Sequence, residues 1–212
     1  MRNLRAHLIG VAGALALLLP ALGASASGAV GVAQSPPADT GSGVQGKSGG
    51  VGVAAVYGPF NVRAQNSNKC LDVSGGTGST GNGAGAIIWD CYGPAQTNQQ
   101  WYFQETGDPF VYNLVARHSN KCLDIAGGTA AVHNGAPAQQ WGCLGYYQTN
   151  QKWYLSSYSA NGMTIYKLTA MHSGKCLDVT GGTGSITNGI PVQQWQCLGD
   201  VQTNQRWYLT AP

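Results

Sequence analysis

The chain has 212 residues, of which only 9% are charged, with 11 Lys and Arg against 8 Asp and Glu and a formal net charge of +3. Two of the basic residues, Arg2 and Arg5, lie in a leader, and without them nine basic residues face eight acidic ones. A balance so close to neutral, with no cluster of Lys or Arg, leaves no electrostatic footprint for nucleic acid or anionic lipid. A neutral partner is expected.

Residues 1–26 read as a secretory signal peptide: Arg2 and Arg5 precede an apolar run from Leu8 to Leu19, and Ala24-Ser25-Ala26 supplies an A-x-A cleavage site. That run is short for a bilayer span, which takes roughly 20 residues, and no longer one follows, so an extracellular product without a membrane span is expected. Residues 27–56 are rich in Gly, Ser and Ala, contain no aromatic residue and carry no strand or helix period. They read as a flexible linker or tail. Residues 57–212 have the length of one domain.

Within that domain one unit is written three times, over about residues 61–106, 113–158 and 167–210. Cys70, Cys122 and Cys176 recur in step with Trp89, Trp141 and Trp195, with Cys91, Cys143 and Cys197, and with Trp101, Trp153 and Trp207, at spacings of 52 and then 54 residues. In chain order the first unit offers four short strand signals, NVRAQNS, KCLDV, GAIIWDC and QQWYF, separated by Gly, Asn and Thr turns, with no sustained helical period. Three such units can close around a pseudo-threefold axis and leave no open sheet edge, so the expected fold is all-β, a β-trefoil.

All six cysteines fall inside the repeats, two per unit at one separation. Six cysteines allow 15 pairings, but in an exported protein a threefold repeat favours bridges within each unit: Cys70 with Cys91, Cys122 with Cys143, Cys176 with Cys197. Each should contribute roughly 3 kcal/mol. Zinc is the rival reading, but no C-x-x-C pair exists and His7, one of four histidines, is in the leader. No metal and no cofactor is expected.

Alternate side chains of a strand share a face, so Leu71 and Val73 turn to the core while Cys70 and Asp72 face the other way. If the bridge joins directly opposed residues, Asp72 lies opposite Trp89, Asp124 opposite Trp141 and Asp178 opposite Trp195. A carboxylate that accepts two hydroxyl hydrogen bonds, beside a flat indole, suits a pyranose, which has polar edges and a C–H face. Trp101, Trp153 and Trp207 read instead as core. Asn98, Asn150 and Asn204 fit a turn as well as a site.

The set K-C-L-D-[VI], then W-x-C, then N-Q-x-W, three times over, resembles the ricin B-chain-like lectins, also called carbohydrate-binding module family 13. The resemblance covers about residues 61–209 and implies a β-trefoil with up to one sugar pocket per unit. It implies that Asp72, Asp124 and Asp178 accept sugar hydroxyls, that Trp89, Trp141 and Trp195 stack on the ring, and that Asn98, Asn150 and Asn204 donate to the sugar. Gln99, Gln151 and Gln205 would orient the Asp. Gln139 and Gln193 fit a further contact position where the first unit has Ile87, and Tyr92 adds a phenol where the others have Leu144 and Leu198. On that count the second and third pockets rank above the first. The GGT loop after each Asp would form one lip.

A glycosidase needs two carboxylates about 5 to 10 Å apart across one bond. The chain has a single Glu, Glu105; its repeated Asp residues are kept apart by the pseudo-threefold arrangement, and Asp90 and Asp200 are unrepeated. His118, His172 and His133 form no recognisable Ser/His/Asp set, so no enzyme is expected. The reading is a secreted, monomeric lectin for neutral mono-, oligo- or polysaccharides such as galactosides, xylan or arabinan. The alternatives are a β-trefoil inhibitor of a secreted protease, a toxin-like cell-surface lectin, or an accessory module of a glycoside hydrolase.

Overall fold

The structure is a computed structural model that describes residues 54–212. The segment read as a signal peptide and nearly all of the segment read as a linker lie outside the described residues. Each unit contributes four strands: β1 (Val56–Ala64), β2 (Cys70–Val73), β3 (Ala86–Trp89) and β4 (Gln100–Glu105); β5 (Val111–Ala116), β6 (Lys121–Ile125), β7 (Ala138–Gly142) and β8 (Trp153–Ala160); β9 (Met163–Ala170), β10 (Cys176–Val179), β11 (Ile190–Trp195) and β12 (Trp207–Thr210). β1 starts one residue inside the linker assignment. Ala55 is already tied down, exchanging backbone and side-chain hydrogen bonds with Glu105.

The first and fourth strands of each unit close a ring of antiparallel pairs, β1–β4–β5–β8–β9–β12 and back to β1. The second and third strands form three hairpins, β2–β3, β6–β7 and β10–β11, that cap one end of this barrel. Neighbouring hairpins touch, through Ile190 against Ile88 and through single bridges from Gly85 to Gln139 and from Pro137 to Gln193. This is the β-trefoil. The two extra residues between the second and third units fall in the β8–β9 hairpin, which runs unbroken to a two-residue Asn161-Gly162 turn with both residues at positive φ.

Burial follows the strand period. Leu71, Val73, Leu123, Ile125, Leu177 and Val179 are fully buried, as are Trp101, Trp153 and Trp207. Each of these indoles also satisfies its N–H, donating to the carbonyl of Leu71 (2.9 Å), Leu123 (3.1 Å) or Leu177 (3.1 Å). The hydrogen bond locks the fourth strand of each unit against its own second strand.

The three disulfides form within the units, with Cα–Cα separations of 5.3, 5.0 and 5.0 Å. The register differs from expectation. Cys70 pairs with Trp89, Cys122 with Trp141 and Cys176 with Trp195, which places Asp72 opposite Ile87, Asp124 opposite Gln139 and Asp178 opposite Gln193. The second cysteine of each bridge lies beyond the directly paired residue, so the bridge runs diagonally and not between opposed partners. A shift of two leaves every side chain on its expected face. The indole is therefore a diagonal neighbour of the carboxylate.

Candidate functional site

Asp72, Asp124 and Asp178 stand near the middle of the second strands and are 6%, 4% and 3% exposed. A carboxylate that deep needs donors. They come from the three-residue 3-10 turns Thr97–Gln99, Thr149–Gln151 and Thr203–Gln205, just ahead of the fourth strands. Oδ2 of Asp72 accepts from Asn98 Nδ2 (3.0 Å) and Gln99 Nε2 (2.8 Å); Asp124 accepts from Asn150 (2.7 Å) and Gln151 (3.0 Å), and Asp178 from Asn204 (2.8 Å) and Gln205 (2.9 Å).

The two amides have different second tasks. Gln99, Gln151 and Gln205 lie behind the carboxylate and stitch it to the third-strand end: Nε2 also donates to the carbonyl of Asp90, Gly142 or Gln196, and Oε1 accepts the backbone N–H of Tyr92, Leu144 or Leu198. The Asn residues spend their N–H groups inside the protein, on the Asp and on the carbonyl of Val73, Ile125 or Val179. Their Oδ1 atoms are buried with no protein partner. The group left over on Asn98, Asn150 and Asn204 is thus an acceptor, where the resemblance implied a donor.

Each carboxylate faces a hollow, of about 410 Å³ at Asp72, 240 Å³ at Asp124 and 350 Å³ at Asp178. Trp89, Trp141 and Trp195 form one wall, the Asn another, and the glycine pairs Gly75-Gly76, Gly127-Gly128 and Gly181-Gly182 the lip. Trp141 and Trp195 are each 38% exposed, against zero for the core tryptophans. Gln96, Gln148 and Gln202 also line the hollows. No site role is expected of them from the sequence, although their recurrence as Q-T-N-Q in all three units is the available signal.

The units differ at the predicted positions. Gln139 and Gln193 line their hollows and donate to Oδ1 of Asp124 (2.9 Å) and Asp178 (3.0 Å). Ile87 in the first unit makes no such bond, so Oδ1 of Asp72 has no partner among the described residues. Burial pushes the Asp72 carboxyl up to about 6, against the opposing pull of Gln99 and Asn98. Burial also raises Asp124 and Asp178, opposed by the bonds from Gln139 and Gln193 and from the Gln and Asn of their turns. Tyr92, which also lines the first hollow, accepts the Trp89 indole N–H at 3.2 Å through its hydroxyl. Leu144 and Leu198 offer Trp141 and Trp195 nothing equivalent.

Fold and site together define the class, a three-pocket β-trefoil. Two family models match the chain, one for a ricin-type β-trefoil lectin domain-like unit over residues 52–141 and one for the ricin-type β-trefoil lectin domain over residues 110–212. A designed threefold-symmetric protein, ThreeFoil, is 38% identical, with a TM-score of 0.61 over 72% of this chain and 98% of that one. An exo-β-1,3-galactanase from Clostridium thermocellum, 1,3Gal43A, is 28% identical with a TM-score of 0.60, over 73% of this chain and 30% of the galactanase. The Rhizoctonia solani agglutinin shares the fold at 17% identity, with a TM-score of 0.56 over 75% of this chain and 96% of the agglutinin. Among curated proteins no match is found. The chain belongs to the ricin-type β-trefoil lectin domain family, a carbohydrate-binding family, and no helix among the described residues is long and apolar enough to cross a membrane.

Proposed function

We propose that this protein is a secreted, monomeric lectin that holds neutral sugars in up to three shallow pockets and grips polysaccharides multivalently. The observation that carries the reading is the threefold recurrence of a clamped, nearly buried carboxylate beside a partly open indole. Asp72, Asp124 and Asp178 accept vicinal hydroxyls, Trp89, Trp141 and Trp195 take the C–H face, and Asn98, Asn150 and Asn204 hold the carboxylate from the pocket wall. Gln99, Gln151 and Gln205 fix the carboxylate. No Lys or Arg lines any of the three hollows among the described residues, which favours a neutral ligand over an acidic one. The leader sequence and three disulfides support export.

Single pockets of this kind bind in the millimolar range, on the order of 4 kcal/mol, and three on one rigid body convert that into avidity. The likeness to a β-1,3-galactanase over 30% of its chain favours galactosides among the candidate sugars and fits an accessory role beside a hydrolase. The test is retention on immobilised galactan, xylan and arabinan. Wild type should be held back and the triple variant Asp72→Ala, Asp124→Ala, Asp178→Ala should elute freely; equal retention of both would overturn the proposal. A glycan array then names the sugar, and a blank array sends the question to protease inhibition.

A further inference from the structure

Each hollow is walled by its own unit except along one edge of the indole. There the chain that arrives belongs to a different unit. Gly83 of the first unit approaches Trp141 of the second, Gly135 of the second approaches Trp195 of the third, and Gly189 of the third approaches Trp89 of the first. A Cβ on these glycines would stand 3.9, 3.8 and 3.6 Å from the indole Cζ3 atoms. All three glycines sit at φ near +84°, and each donates its N–H across the unit boundary, to the carbonyl of Gln140, Gln194 or Ile88, at 2.9 Å.

The preceding asparagine makes the second attachment. Oδ1 of Asn82 accepts the N–H of Gly142 (2.9 Å), Oδ1 of Asn134 that of Gln196 (2.9 Å), and Oδ1 of Asn188 that of Asp90 (3.0 Å). In every case the receiving residue is the one just after the tryptophan. The side-chain amides of Gln140 and Gln194 add further bonds to the arriving loops, on Gly81 O and His133 O. The first unit has Ile88 at that position and holds its visitor differently: Asn188 Nδ2 donates to Asp90 Oδ2 (2.8 Å), while Lys69 secures the other oxygen (2.6 Å). The contact is kept where the means of keeping it has changed.

We infer that Asn82, Asn134 and Asn188 are positioning residues for the sugar-stacking tryptophan of another repeat, so that every pocket is completed by a turn from a different unit. This rests on the proposed sugar-binding role of the hollows. The backbone N–H after Trp141, once fixed by Asn82, fixes the end of β7 and with it the angle the indole presents to a ring in the hollow.

The second pocket gives the test, in a background where Asp72→Ala and Asp178→Ala leave it as the sole complete site. Adding Asn82→Ala should weaken galactoside or xylooligosaccharide binding about tenfold, the size expected for one lost positioning hydrogen bond. Asn82→Asp keeps the acceptor and should bind within about twofold of the background. Asn66→Ala removes a cross-repeat side-chain-to-backbone bond elsewhere, donated by Asn66 Nδ2 to Ser185 O (2.8 Å), and should lower thermal stability without changing second-pocket affinity. NMR supplies a readout that needs no sugar: Asn82→Ala should speed hydrogen exchange at the Gly142 amide and shift the Trp141 indole resonance, leaving the Trp89 and Trp195 resonances in place. An unmoved Trp141 indole, or equal binding losses for Asn82→Ala and Asn66→Ala, overturns the inference. If the background binds no sugar while the wild type does, the sugar reading of this pocket fails, and the indole and amide signals decide the positioning role alone.

Discussion

Gln99 stands 2.8 Å from Asp72, with its side-chain nitrogen divided between that carboxylate and the carbonyl of Asp90. Two residues 27 apart in sequence therefore act as one group. Gln99→Ala should leave a buried carboxylate with Asn98 as its remaining donor, at a cost of about 1 to 3 kcal/mol near pH 7. Thermal melts should show that deficit shrinking at pH 5, where Asp72 is largely protonated. A deficit that does not change with pH would contradict the clamp.

Asp72→Asn separates stability from binding. The folded carboxyl titrates near 6, above its value of 3.8 in an unfolded chain. The native state therefore holds its proton longer than the unfolded state does, and stability falls as pH rises from about 4 to 6. At pH 7 the buried charge costs on the order of 3 kcal/mol. Replacing it with a neutral amide that still accepts from Asn98 and Gln99 should raise the melting temperature at pH 7, give little gain at pH 4, and abolish binding at the first pocket. Wild-type binding at that pocket should weaken as pH drops through about 6.

Ile87→Gln imports into the first unit the donor that Gln139 and Gln193 supply to the others. A third bond should stabilise the charged form of Asp72 and lower its pKa. Carboxyl NMR titration should show the midpoint moving down from about 6, and the pH at which first-pocket binding fails should move with it. An unshifted midpoint would mean that the Gln does not reach Oδ1.

The two tryptophan sets should respond oppositely to truncation. Trp101→Ala empties a fully buried site and leaves the Leu71 carbonyl unpaired, a loss of about 3 to 5 kcal/mol of stability. Trp141→Ala removes a wall that is 38% exposed, so chemical denaturation should change little while second-pocket binding is lost. Similar stability losses for both variants would argue against the division.

One half of that division is legible from strand parity, because a two-residue period puts Trp89 on the face of Asp72 once Leu71 and Val73 are given to the core; Trp101 reads as core only because a Trp in a small β protein usually is. The register is not legible. Opposing the two cysteines is the simplest geometry for a bridge, but Cys91 lies two residues past the strand end at Trp89 and reaches back diagonally, which a list of cysteines does not reveal. The chemistry of Asn98 was also hidden, since an amide can give or take a hydrogen bond and the Val73 carbonyl that absorbs its donor lies 25 residues away. Internal repetition aligns Asn82 with Asn134 and Asn188, yet says nothing of which unit each one touches. Such contacts follow from ring closure, and closure is a property of all three copies together.

The pairing of β1 with β12, Asn61 beside Thr210 through Ala64 beside Trp207, makes the third unit as much a neighbour of the first as the second is. A polypeptide of one repeat would expose two raw barrel edges and lack the loop that steadies its indole. Such a peptide could close the same ring only by assembling with two copies of itself, which makes the homotrimer the smallest assembly of single repeats this architecture allows.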